Sequence, residues 1–437
     1  MLLLGSADPL LSPPVDLRPP VPRATPSAEP SGGGKPNLTI YGQLGGEYAA
    51  NTTGGQRLAD AFATSLLLGA NYSFAHKRAD DAGTLHLIFT DAFGSSLSQN
   101  ALGSITIVQG AYGGGETPRL TALSYEQDAG KFDIQAGRVP MQSDIFSSFD
   151  YWQCNVLCFY QNGTISNATP TNDGYSYFPL STWGAYARFA ASQQFYVRTG
   201  IYQATPVTQA NRGQGFDLGF HGSTGADFPL EFGFLSHDAK GNYAGSARFG
   251  AYYDTSNALG AESLLGAFVA PDNPALSQIP TTLYRGQKGA WVYLDRLVSG
   301  SSAPNERGVM LWGTYSYSDP QTAQFVNMAQ AGFIVHGTFP NRTNDTIAFS
   351  WSYLDLNPRL QTFEYRLQRE GYAVPINGVE QGLELNYGID VGDWGFLRPA
   401  IQYIINPAGT TGGYVYPGGA VGLHNELVLG FNATYLY

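Results

Sequence analysis

The chain has 437 residues and a formal net charge of -11, with 13% charged residues, 14% aromatics and 54 glycines. So acidic a chain, with no run of basic residues, repels nucleic acid phosphates, and no nucleic acid partner is expected; few charges with many Tyr, Phe and Gly point to strands and turns. No stretch of about 18 apolar residues encodes a transmembrane helix, but a mean hydropathy of -0.16 also suits membrane strands, which need only about ten alternating residues.

Residues 1–7, Met1-Leu2-Leu3-Leu4-Gly5-Ser6-Ala7, end in small residues suited to cleavage, with a short apolar core and no basic flank. They read either as the tail of a secretory signal or as an ordinary terminus. Residues 8–36 carry nine of the 26 prolines and the run Gly32-Gly33-Gly34, a linker composition expected to form a flexible periplasmic extension.

From residue 37 to 437 period-two alternation dominates. Leu66, Leu68, Ala70, Tyr72 and Phe74 alternate with Leu67, Gly69, Asn71 and Ser73, and Phe228, Leu230, Phe232 and Phe234 with Glu231 and Gly233. Sixteen strands are expected near 38–49, 62–75, 83–92, 118–127, 130–139, 182–189, 193–203, 228–238, 243–254, 286–298, 306–318, 327–339, 344–355, 378–391, 394–406 and 424–437. Their connections alternate long and short, apart from the short 319–325, which is the asymmetry of an outer-membrane barrel. The expected fold is therefore all-β, a 16-stranded antiparallel barrel with short periplasmic turns and long extracellular loops. Closure leaves no strand edge facing lipid.

The long connection 140–181 is the natural candidate to fold into the lumen. It contains Cys154 and Cys158; no His or acid cluster lies nearby to complete a metal site, and an oxidising compartment favours a loop disulfide between them. Enzyme signals are weak: the six His show no metal spacing, and no Gly-x-Ser-x-Gly elbow occurs. No catalytic residue, metal or cofactor is expected.

The informative charges fall on the inward parity. Arg188, Arg198, Arg248 and Arg398 lie between lipid-facing residues, as do Glu47, Glu231, Glu380 and Glu384. A cation facing hydrocarbon at mid-depth costs about 2–4 kcal/mol, so these side chains turn inward. They either balance one another along a water channel or form a constriction. There, arginines and acids would hydrogen-bond sugar hydroxyls, with inward aromatics, Trp312 and Tyr202 among them, packing on the sugar's C–H face. Arg138 shares the outward parity of Phe132, Ile134 and Ala136, so a bulge is expected to turn it inward.

Several stretches together resemble one family. They are Ala136-Gly137-Arg138-Val139; Cys154 and Cys158 followed by Pro179-Leu180-Ser181-Thr182-Trp183-Gly184-Ala185; the run Tyr196-Val197-Arg198-Thr199-Gly200-Ile201-Tyr202; and Glu384-Leu385-Asn386-Tyr387-Gly388-Ile389 with Arg398-Pro399-Ala400-Ile401-Gln402-Tyr403. In order and spacing the chain from about Leu38 to Tyr437 resembles the carbohydrate-selective porins (OprB type). The resemblance implies passive, carbohydrate-favouring diffusion through a constriction of charged and aromatic side chains in the bacterial outer membrane. Monosaccharides or small oligosaccharides would be the permeants, outer-membrane lipid the surroundings, and a monomer or homotrimer the assembly. The chain departs from the family in ending on Tyr437 rather than Phe and in its Pro-rich extension.

The expected constriction comprises Arg188, Arg198, Arg248, Arg398, Glu47, Glu231, Glu384 and Arg138, with Trp312 and Tyr202 as weaker stacking candidates. Replacing Arg198 with Ala is expected to change sugar flux with little effect on folding. A general or anion-selective pore, a plugged barrel and an outer-membrane enzyme are the competing readings.

Overall fold

In the computed structural model the described residues are 35–75, 81–104, 107–111, 116, 118–139, 181–204, 216, 218–220, 222–263, 282–302, 306–323, 325–372, 374, 376–407, 414–416, 419–421 and 423–436. Residues 1–7, nearly all of 8–36, and Cys154 and Cys158 with most of the 140–181 connection lie outside them.

The strands run in chain order as β1 (Asn37–Thr53), β2 (Asp60–Ser73), β3 (Gly83–Gly94), β4 (Arg119–Ala129), β5 (Phe132–Val139), β6 (Thr182–Ala190), β7 (Phe195–Ala204), β8 (Gly225–His237), β9 (Tyr243–Leu259) and β10 (Leu283–Gly300). They continue as β11 (Gly308–Ser318), β12 (Phe325–His336), β13 (Thr346–Leu356), β14 (Val379–Asp390), β15 (Gly395–Ile405), β16 (Tyr414–Tyr416), β17 (Gly419–Val421) and β18 (Glu426–Leu436). All but the small β16–β17 hairpin pair with their neighbours in one closed ring of sixteen antiparallel strands, sealed by β1 against β18. No helix of the described residues is long and apolar enough to cross a membrane.

Strand β8 shows why these sequences close. Phe228, Leu230, Phe232 and Phe234 are exposed, while Asp227, Glu231 and Leu235 are buried. The apolar set faces lipid, and the polar set would be ruinous there. A slip of one residue would exchange the two faces, so register is tightly specified.

Strands β1, β9 and β10 run past their expected ends. At the top of β9, Ser256 and Ala258 are buried and Asn257 is exposed. The pleat continues where the outer face is no longer apolar, so hydropathy alternation stops before the strand does.

Helix α1 (Pro358–Arg369) was expected to be loop. Its signals are local: Asn357 caps it by accepting from the Arg359 N–H at 2.9 Å, Pro358 opens the first turn, and Leu360, Phe363 and Leu367 bury one face. Asn357 also donates to the carbonyls of Pro320 and Ala323, and Arg359 pairs with Glu262 at 3.1 Å. The helix thus lies on the long-loop side, outside the spanning strands. Its Glu364 is fully buried and accepts from the Asn377 N–H at 2.8 Å and from the Asn377 side-chain amide. Burial pushes this carboxyl up to about 7 against those hydrogen bonds. An acid whose folded pKa is raised holds its proton in the folded state, so docking of α1 is strongest below the ordinary carboxyl range, weakens as pH rises toward 7 and levels off above it. Hydrogen exchange across residues 358–372, corrected for intrinsic rate, is expected to show more protection at about pH 5.5 than at about pH 8; equal protection would place Glu364 in contact with water.

Candidate functional lumen

Inward side chains form rows across neighbouring strands. One row reads Asp133, Arg188, Arg198 and Glu231 over β5 to β8, each residue the register partner of the next. Two arginines directly opposite would repel, and an acid at each end of the row offsets them. Glu231 is the hub. It is fully buried and accepts from Arg198 Nε at 2.9 Å, from the Tyr196 hydroxyl at 2.8 Å and from Trp291 Nε1 at 2.9 Å, with the Arg198 Nη2 in ion-pair contact at 2.7 Å. Charge-assisted hydrogen bonds of this kind are among the strongest available to side chains. The guanidinium of Arg188 lies 4.9 Å above the Tyr196 ring and that of Arg198 5.5 Å from it.

The rings lie flat because glycines make room for them. A Cβ on Gly233 would sit 2.0 Å from the Tyr196 ring, one on Gly250 2.1 Å from Trp291, and one on Gly184 2.2 Å from Tyr202. Aromatic rings therefore form a floor, and the arginines lie over that floor. Arg248 stands in the next row, between Gly233 and Tyr293. Below it, Asp295 accepts from the Tyr243 hydroxyl at 2.7 Å and from Ser246, and faces Trp312 across the strand pair.

The second polar group lies across the barrel. Strands β7 and β15 stand eight places apart in the ring of sixteen, so Arg398 on β15 is on the wall opposite Arg198. Arg398, Asn432 and Glu47 form one row across β15, β18 and β1, with Arg398 near enough to both Glu384 and Glu47 to interact electrostatically. Glu384 accepts from Asn386 at 2.6 Å and from Gln402 at 3.0 Å. Glu47 accepts from the Ala111 N–H at 2.7 Å and from Asn432 at 3.4 Å.

That Ala111 contact comes from the connection after β3, which enters the barrel. Its Leu97, Ala101, Leu102 and Val108 are buried against Ala49, Ala61, Ala400, Ile404 and Val428 of the inner wall. Its Ile107 packs on Phe325, Met328, Leu354 and Leu356 of β12 and β13. The expected insertion, 140–181, lies almost wholly outside the described residues, and the segment after β3 is an insertion that strand periodicity does not announce. The available signal was the apolar inward parity of Ala400, Ile404 and Val428, which a wet lumen does not explain.

The expected residues thus divide between two walls. Arg188, Arg198, Arg248 and Glu231 gather on one, while Arg398, Glu47 and Glu384 gather on the other. Trp312 packs with Tyr196, Tyr243 and Met310, and Tyr202 with Tyr186, Tyr252 and Trp291, so both rings are enclosed by other aromatic and apolar side chains. Trp291, Asp295 and Gln109 were not singled out from sequence.

Arg138 is a correction. It is buried, but no bulge turns it inward: its pairing with Leu123 and Trp183 continues without a shift, so it keeps the outward parity. It is covered instead. The Trp183 ring lies 5.9 Å from its guanidinium, which donates to the Ser181 carbonyl at 3.0 Å. Trp183 in turn donates to the Leu218 carbonyl at 3.1 Å and stacks on Phe220. Aromatic and backbone groups shield this charge from lipid, and it is no part of the lumen.

Comparison with known proteins supplies an independent line. The model of the family described as "Carbohydrate-selective porin, OprB family" matches residues 63–436. Porin B of Pseudomonas aeruginosa is 27% identical over 388 residues, covering 83% of this chain and 82% of that protein. The putative porin QuiX of Acinetobacter baylyi is 26% identical over 387 residues, covering 83% of each. The high-pH structure of Pseudomonas putida OprB superposes with a TM-score of 0.75 at 24% identity, covering 92% of this chain and 94% of that one, and supports the fold.

Proposed function

Since the chain belongs to the carbohydrate-selective porin, OprB family, it is a sugar-favouring porin of the bacterial outer membrane, and we propose that its selective element is the pair of facing polar walls. Arg188, Arg198, Arg248 and Glu231 form one wall, and Arg398, Glu384 and Glu47 the other. The observation that carries this reading is the Arg198–Glu231 hub held on an aromatic floor.

A sugar hydroxyl both donates and accepts, a guanidinium only donates, and a carboxylate only accepts. Walls that alternate the two can replace the water shed by a sugar at many points of its ring. Flux stays passive: the walls lower the barrier for molecules that match them, and the gradient sets direction. Monosaccharides or small oligosaccharides are the proposed permeants. Packed among other rings and apolar side chains, Trp312 and Tyr202 support the wall rather than stack on sugar.

Planar-bilayer conductance of the refolded protein, titrated with glucose and with a larger maltodextrin, tests the proposal. Saturable block by sugar is expected at concentrations where a size-matched polyol does little. Open conductance without such block would reduce the channel to general diffusion.

A further inference from the structure

Among the groups that hold the connection after β3 inside the barrel, one stands out. Gln109 is fully buried. Its Oε1 accepts from the Leu97 N–H at 2.8 Å, so it closes the inserted segment on itself. Its Nε2 donates to the Glu47 carbonyl of β1 at 3.0 Å and to the Ala61 carbonyl of β2 at 3.2 Å, so it ties that segment to the wall. The amide's acceptor and both of its donor hydrogens are thereby used in a dry setting, where each bond is costly to lose. Two residues on, the Ala111 N–H donates to the Glu47 carboxylate, the group that faces Arg398. Ser98 Oγ accepts from the Val108 N–H at 2.9 Å and reinforces the closed shape.

Further contacts tie the segment to the β1–β2 connection and to the β12–β13 wall. The Gln56 N–H donates to the carbonyls of Ala101 and Leu102, each at 2.9 Å, and Ile107 reaches the β12–β13 wall. The insertion therefore runs along the inner face from β1 and β2 past β18, β15 and β14 to β13 and β12.

From this we propose that Gln109 is the positioning residue that fixes the channel's cross-section. It pins the inserted segment as an immobile inner wall and, through Ala111, holds the Glu47 carboxylate toward Arg398. Gln109 does not touch the permeant. The inference rests on the channel alone, so it stands or falls independently of the sugar preference.

The test compares wild-type protein with Gln109→Ala in planar bilayers. A released segment widens the opening and moves within it. Single-channel conductance is expected to rise roughly twofold, with added open-state flicker. A plain loss of packing would shift stability without reversibly changing current. A second variant therefore adds Gln56→Cys and Ala101→Cys to Gln109→Ala, at two residues whose backbones already touch. Oxidation of that pair is expected to restore wild-type current, and reduction in the bilayer to release it. If Gln109→Ala fails to assemble, the oxidised triple variant is assembled first and then reduced. Wild-type current from Gln109→Ala, or from the reduced triple variant, overturns the proposal.

Discussion

Replacing Glu231 with Leu is expected to cost about 3–5 kcal/mol of folding stability, because the guanidinium of a buried pair is left without its carboxylate. Arg198 is 6% exposed, and Tyr196 and Trp291 lose the same acceptor. Urea unfolding in lipid vesicles checks this through the midpoint, with an unchanged slope marking a pure stability effect. The double variant Glu231→Leu, Arg198→Met is expected to recover much of the loss, since removing both partners of a buried pair is far milder than removing one. Sugar block separates the two roles: it should stay weakened in the double variant if the pair contacts permeant, and return with stability if the pair only holds the wall. The same geometry revises the expectation for Arg198→Ala. Sequence parity places Arg198 inward but says nothing of its partner, so a small folding effect looked reasonable. With Glu231 wholly buried beside it, that variant strands a carboxylate on two neutral donors and should destabilise as well.

Most of the barrel was legible because lipid enforces a strict rule. Outside each strand sit residues such as Leu230 and Phe232, and inside sit residues such as Glu231 and Arg248, and few exceptions are tolerated. The rule fails where lipid ends, as at Ser256 and Ala258 of β9, and where something other than the pleat protects a charge. Arg138 is the clear case: parity was right about its direction and wrong about the remedy, because its cover comes from Trp183 and from residues 218–220, far along the chain. Inward placement of the arginines was readable residue by residue. Their grouping was not, because it depends on register between strands. Arg188 and Arg198 meet Glu231 only when β6, β7 and β8 are aligned, and the glycine seats of Tyr196 and Trp291 lie on neighbouring strands. The inserted segment after β3 has no periodicity, so Gln109 left no local trace.

The second large effect concerns ions, and it separates the sugar-favouring channel from an anion-selective one. Among the described residues the buried carboxylates on barrel strands include Glu47, Asp133, Asp227, Glu231, Asp254, Asp295, Glu380, Glu384 and Glu426. Set against them are Arg119, Arg188, Arg198, Arg248 and Arg398. The long 140–181 connection adds Asp144, Asp150 and Asp173 to the chain and no Lys or Arg. Four arginines seen alone suggest a fixed positive field; set among all the buried strand carboxylates, they are outnumbered. A narrow passage lined by excess acid raises the local concentration of cations and lowers that of anions. The zero-current potential across a KCl gradient is therefore expected to carry the cation-favouring sign, with a permeability ratio of roughly 2–10 that shrinks as salt rises and screening shortens. Measured at about pH 9, Glu384→Gln should lower the ratio, since it removes a negative charge while its Asn386 and Gln402 neighbours remain to hydrogen-bond the amide. An anion-favouring potential would mean that the arginines, and not the acids, face the permeation path, and would return the anion pore as the better reading of the lumen.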